Sequence, residues 1–106
     1  MISVNIYYKG INGSAKKFVN EMVFSGLVDK IRNEDGNLRY EYFYLLDDNE
    51  TVLLIDCWTN QEALDIHHKL PIMNEIIKLR EKYDLHMVVE KYESINDTKD
   101  EKYIRK

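Results

Sequence analysis

The sequence predicts an α+β fold of the ferredoxin-like kind, a four-stranded antiparallel sheet with helices on one face. Three observations predict it. Short runs rich in tyrosine, valine and isoleucine alternate with longer runs whose apolar positions recur at helical spacing. Taken in order these segments read β-α-β-β-α-α-β, a split βαβ pattern with one extra helix before the last strand. A length of 106 residues suits one such domain and is too short for two. We place that domain at residues 1–95 and a polar tail at 96–106.

Residues 2–8 alternate as a strand, and Lys9-Gly10-Ile11-Asn12-Gly13 is turn chemistry before Ser14, which can cap a helix. From Ala15 to about Asn33, the residues Ala15, Phe18, Val19, Met22, Val23, Gly26, Leu27 and Ile31 form one wide apolar stripe, predicting a single helix. Gly36 supplies a left-handed residue to end it. Residues 37–46 read as an aromatic strand, with Leu38, Tyr40, Tyr42 and Tyr44 on one face. Asp47-Asp48-Asn49-Glu50 reads as a hairpin turn, and residues 51–58 as the returning strand. Thr59-Asn60-Gln61-Glu62 resembles a capping box with Thr59 as the cap. It opens a short helix through Ala63, Leu64, His67 and Leu70. Pro71 suits the first turn of another helix carrying Ile72, Ile76, Leu79 and Tyr83. Residues 85–92 read as the last strand, followed by polar residues expected to fray or to lie across a partner.

The core of the third strand, Val52-Leu53-Leu54-Ile55, is apolar on both faces, so both faces need cover. Helices can cover one. A homodimer pairing sheet to sheet is the economical cover for the other. The net charge of −4 lacks the basic footprint of a nucleic-acid binder. No apolar run approaches a membrane span, and no leader pattern opens the chain, so a cytoplasmic protein is expected. Cys57 is alone and cannot form an internal disulfide. Its apolar strand setting is that of a buried thiol rather than a nucleophile.

Few residues look chemical. Trp58, the sole tryptophan, ends an apolar strand next to a helix start, where it is either a core aromatic or a pocket wall. His67 falls on the inward face of its helix with Ala63, Leu64 and Leu70, while the neighbouring His68 points about 100° away. An inward histidine is either a satisfied core residue or, facing a cavity, a base suited to proton transfer near neutrality. Tyr7, Tyr8, Tyr40, Tyr42 and Tyr44 are cross-strand packing or, for one or two phenols such as Tyr40 and Tyr42, the lining of a pocket for a flat aromatic or quinone-like ligand. Asn5, central in the first strand, is a candidate pocket amide or an interface group. Arg32, Glu34 and Arg39 read as capping and solvated charge. No zinc spacing, phosphate loop, dinucleotide fingerprint, serine elbow or His-Glu-x-x-His helix is present, so no metal and no cofactor are expected.

Three strings, Arg32-Asn33-Glu34-Asp35-Gly36-Asn37-Leu38-Arg39-Tyr40, Asp56-Cys57-Trp58 and Gln61-Glu62-Ala63-Leu64-Asp65-Ile66-His67, together with Pro71, resemble in order and spacing the antibiotic biosynthesis monooxygenase family, which includes small quinol monooxygenases. The likeness runs from Ile2 to about Tyr92. It implies a dimeric α/β barrel and cofactor-independent oxygenation of a quinol or hydroxyaromatic, with Trp58 as pocket wall and hydrogen-bond donor and His67 as base or substrate orienter. It places Leu54 at the pocket position where aromatic-ring oxygenases tend to carry an amide, and Cys57 where many relatives have a second acid. A haem-degrading branch carries a tryptophan near the position of His67 and a histidine near Ile77, and this chain has neither. A branch that isomerises a phosphorylated signalling sugar shares Gly36-Asn37-Leu38-Arg39-Tyr40 and the His67-to-Pro71 spacing. There His67 would again be the base, with Lys69, Arg39 or Lys91 available for the phosphate. A non-catalytic dimer that binds a small molecule is the remaining alternative.

Overall fold

In a computed structural model that describes residues 1–106, the strands are β1 (Ile2–Lys9), β2 (Asn37–Leu45), β3 (Asp48–Trp58) and β4 (His86–Glu93). The helices are α1 (Ser14–Phe24), α2 (Leu27–Arg32), α3 (Gln61–Lys69) and α4 (Ile72–Lys82). The sheet is antiparallel in the order β2-β3-β1-β4. That is the expected ferredoxin-like arrangement, left as an open sheet.

Alternation along the strands sorts the side chains onto two faces. Val4, Ile6 and Tyr8 of β1 lie opposite Asp56, Leu54 and Val52 of β3, and these lie opposite Tyr40, Tyr42 and Tyr44 of β2. This face meets Phe18, Met22, Leu27, Val28, Ile31, Leu64 and Ile76 from the four helices to form the core. The outer face carries Ser3, Asn5, Tyr7, Phe43, Leu53, Ile55, Val88 and Tyr92, and Val88 and Tyr92 are about half exposed.

Four local details differ from the sequence expectations. The helix expected over residues 15–33 is two helices, because Gly26 adopts φ +84° and starts α2 afresh; the apolar stripe continues across the break, which is why periodicity alone does not reveal it. Gly13, not Ser14, precedes α1; the Ser14 hydroxyl instead accepts the Ile11 N–H at 3.0 Å. The hairpin turns at Leu46-Asp47, with Leu45 paired to Asp48, so Asp48, Asn49 and Glu50 belong to β3. The cap of α3 is Asn60, whose side chain accepts the Ala63 N–H at 2.9 Å, one residue beyond the expected Thr59.

Gly36 has φ +83° as expected, but in the turn entering β2; the preceding helix closes at Asn33. A Cβ on Gly36 would stand 2.6 Å from the Ala63 Cβ and 2.8 Å from the Thr59 Oγ1, so the β2 turn and the start of α3 touch there through bare backbone. Residues 94–106 are exposed, with one short 3₁₀ turn at Glu101–Tyr103. No helix is long and apolar enough to cross a membrane.

Candidate functional site

Trp58 and His67 meet beneath the helices. Trp58 is the last inward residue of β3, and His67 is three positions on from Leu64 along the buried stripe of α3. Their rings pack at a centroid distance of 4.7 Å, tilted by 31°. Both are closed off, Trp58 fully and His67 to 3% exposure. His68 is exposed as expected, with its ring 5.6 Å from that of His67 and its pKa lowered, mainly by partial burial.

A carboxylate that the sequence marks as ordinary surface charge completes this pair. Glu34, in the turn between α2 and β2, places its two carboxylate oxygens 2.8 and 3.0 Å from His67 Nδ1. The Glu34 side chain is 14% exposed and that of His67 4%, so the contact is largely shielded from water. Nothing along the chain links the two, because they stand 33 residues apart and only the closure of the β2 turn onto α3 joins them.

Asp56 is the second residue absent from the sequence-derived site, and here a signal was present. It sits at the inward position between Leu54 and Trp58, so strict alternation along β3 already requires a buried acid there. Burial raises its pKa to about 6, further helped by the charge on Glu34; the Trp58 indole, His67 and Asn37 partly offset this. Asn37 Nδ2 donates to Asp56 Oδ1 at 3.3 Å. The Trp58 indole N–H faces the same region without a hydrogen bond of normal geometry, and so remains a buried donor with unused capacity.

Of the other predicted site residues, Tyr40 and Tyr42 lie on this inner face. Their hydroxyls are 3.4 Å apart and their rings nearly perpendicular at 5.7 Å. A bulge at Leu38 sets the register that puts Tyr40 opposite Asp56. Burial pushes both phenols up, well above the ordinary tyrosine range, so at neutral pH they are protonated and able to donate. Tyr8 is likewise buried and raised, although the Arg80 guanidinium donates to its hydroxyl at 3.0 and 3.2 Å and opposes the shift. Leu54 is in the core between Ile6 and Tyr42, an apolar wall.

Asn5 is not brought to this site. Its position in β1 turns it to the outer face, where its side-chain oxygen accepts the Ser3 hydroxyl at 2.8 Å, so of its two expected roles the location suits the interface group. Cys57 faces the same way and is buried, its thiol 3.5 Å from the Ser3 hydroxyl.

Outside the buried pair lies a pocket of about 500 Å³, lined by Asn33, Glu34, Asp35, Gly36, Thr59, Asn60, Glu62, Ala63, Ile66 and Leu70. Glu34 is the shared member, touching the pocket on one side and His67 on the other. Three carboxylates and no lysine or arginine line it. No group of three or more His, Cys, Asp or Glu side chains is arranged to hold a metal ion. The chemical capacity of the site is that of an oriented imidazole, a raised carboxyl and neutral phenols in a closed, low-dielectric interior.

A sequence model of the family described as antibiotic biosynthesis monooxygenase matches residues 1–79, which include Glu34, Asp56, Trp58 and His67. No curated protein matches the chain. Among solved structures, a Deinococcus radiodurans protein described as a candidate antibiotic biosynthesis monooxygenase is 20% identical. It superposes with a TM-score of 0.79 over 92% of this chain and 95% of its own. A conserved protein from Methanosarcina mazei is 20% identical, with a TM-score of 0.75 over 89% and 92%. SnoaB from Streptomyces nogalater, described as a cofactor-independent oxygenase and solved as the mutant N63A, is 13% identical, with a TM-score of 0.74 over 92% and 96%. At these identities the likeness is one of fold.

Proposed function

The chain belongs to the antibiotic biosynthesis monooxygenase family, and we propose that it is a cofactor-independent monooxygenase of a small quinol or other hydroxyaromatic, working as a cytoplasmic homodimer. The observation that carries this reading is His67 stacked on Trp58 with Nδ1 against a carboxylate. That contact fixes the imidazole and leaves Nε2 as the basic position.

In the proposed reaction, Nε2 takes the phenolic proton of the substrate, and the electron-rich anion passes one electron to dioxygen. The substrate radical and superoxide combine, and the resulting peroxide anion recovers the proton from His67. Loss of water then leaves a new carbonyl on the ring, so one oxygen atom enters the product and the other leaves as water. The protein supplies the base, hydrogen bonds from Tyr40, Tyr42 and the Trp58 N–H, and a dry interior walled by Leu54 that keeps the radical pair together. Because Trp58 and His67 are closed off, substrate reaches Nε2 by displacing neighbouring side chains while Glu34 stays on Nδ1.

Isomerisation of a phosphorylated sugar through the same His67 is less well supported. A dianionic phosphate would face Glu34, Asp35 and Glu62 at that pocket. The cations expected for it lie elsewhere: Arg39 is paired with Glu41, Lys91 reaches Gln61, and Lys69 is exposed beyond the pocket lining. The dimer reading is supported by the outer sheet face, where Tyr7, Phe43, Leu53, Ile55, Val88 and Tyr92 form an apolar surface large for a small monomer.

Oxygen uptake with reduced quinones and hydroxyaromatics tests the reaction. Turnover is expected, with a loss of at least about 10²-fold in His67→Ala, the contribution of a positioned base. No uptake by the wild type, or equal uptake by the variant, overturns it. Turnover of a phosphorylated diketone without oxygen would favour the isomerase, and binding without turnover of either substrate the non-catalytic dimer. Sedimentation at micromolar concentration tests the assembly, and a species of 12.7 kDa alone overturns the dimer.

A further inference from the structure

We propose that Glu34 is the positioning residue of His67, selecting the tautomer in which Nδ1 carries the proton and Nε2 is the free base. The inference deepens the reading of His67 as a base and is tested separately from it.

Three observations support it. The contact is short and two-pronged, 2.8 and 3.0 Å from one ring nitrogen to both carboxylate oxygens, and it is largely shielded from water. A carboxylate only accepts, so the nitrogen facing it must donate, which in the neutral ring leaves the lone pair on the opposite nitrogen. The Glu34 backbone is also fastened on every side. Its N–H donates to the Ile31 carbonyl at 3.0 Å, its carbonyl accepts the Asn37 N–H at 3.2 Å, and the Gly36 carbonyl accepts the Thr59 N–H at 2.9 Å. Such a turn presents the carboxylate in a set place before any substrate arrives.

The other groups near the imidazole do not supply this function. Trp58 meets the ring by stacking. His68 stands 5.6 Å away on the same helix, ring to ring, and is exposed. Asp56 makes no hydrogen bond to the imidazole, and its Oδ1 accepts from Asn37. When the substrate O–H breaks and an Nε2–H bond forms, the ring becomes an imidazolium, and Glu34 stabilises that charge across the Nδ1–H bond. The Nδ1 proton stays where it is. This is the role of the third member of a Ser-His-Asp triad, which orients the histidine without being protonated.

The test is long-range ¹H–¹⁵N correlation spectroscopy of the histidine rings in the full-length protein, at a pH where the imidazoles are neutral. Wild-type His67 is expected as the Nδ1–H tautomer. Glu34→Ala is expected to lose that preference, and Glu34→Asp to restore most of it. Melting curves accompany each variant. A wild-type Nε2–H tautomer overturns the proposal, as does a folded Glu34→Ala protein that keeps Nδ1–H. If Glu34→Ala does not fold, the wild-type tautomer and its retention in Glu34→Asp decide. A falling melting temperature without a tautomer change marks a structural contact only and also overturns it. Where oxygen uptake is found, kcat is expected to fall about 10²-fold in Glu34→Ala, the lower end of what a positioned base contributes, with KM little changed. The spectroscopic arm needs no substrate, so it stands or falls apart from the oxygenase reading.

Discussion

Replacing Asp56 with asparagine should leave the fold intact and change how its stability depends on pH. Asp56 is 5% exposed and its pKa is raised from 3.8 to about 6, first by burial. The native state therefore binds the proton more tightly than the unfolded chain does, and stability falls as pH rises between those two values. Above about pH 6 the full penalty applies: the distance from 3.8 to about 6 corresponds to roughly 3 kcal/mol. Asparagine has nearly the same shape and can still accept from Asn37, but it has no charge to bury. The difference in stability between Asp56→Asn and wild type should therefore grow in favour of the variant by about 3 kcal/mol between the acid and neutral ends of that window. Titrating groups that do not interact with Asp56 are common to both proteins and cancel in the difference. Any cost of placing the extra amide protons is independent of pH and shifts the curve without changing its slope. Urea unfolding of both proteins across a pH series measures it, and near neutrality the melting temperatures should move apart by on the order of 10 °C relative to their acid-end difference. A difference that stays flat with pH, or that moves towards the wild type as pH rises, would refute the assignment of Asp56 as a carboxyl destabilised by burial.

Two substitutions test how the site is held. Gly36→Ala combines a φ of +83° with a Cβ 2.6 Å from Ala63, and should cost about 1–3 kcal/mol in chemical denaturation while loosening Glu34 from His67, visible as a change in the His67 ring signals. Asn60→Ala removes the cap of α3 and should cost about 1 kcal/mol, whereas Thr59→Ala, at the cap position suggested by the capping-box motif, should cost less than half as much in the same assay. A larger loss from Thr59→Ala than from Asn60→Ala would return the cap to Thr59.

How much of this was legible in the chain depended on the range of the interaction. The strands, the inward turn of His67, the burial of Cys57 and the left-handed Gly36 follow from alternation, helical spacing and local backbone preference. Trp58 and His67 could be placed at the same end of the sheet because a strand end and the following helix are neighbours by connectivity. The division at Gly26 was hidden by an apolar stripe that continues through it, and the cap at Asn60 by a motif that fits equally well one residue earlier. Asp56 was within reach, since its parity along β3 is that of Leu54 and Trp58. Parity along β1 likewise sends Asn5 to the outer face, which separates its two readings.

By itself, the sequence determined the ferredoxin-like architecture, the succession of its four strands and the placing of one tryptophan and one histidine at the same end of the sheet, because hydrophobic periodicity and turn chemistry act over a few residues. Only the tertiary structure decided what surrounds that histidine. The Glu34 carboxylate reaches Nδ1 across 33 residues because the bare backbone of Gly36 lets the β2 turn close against Ala63 and Thr59. The raised carboxyl of Asp56 and the protonated phenols of Tyr40 and Tyr42 likewise exist only once the helices have excluded water from the inner face of the sheet.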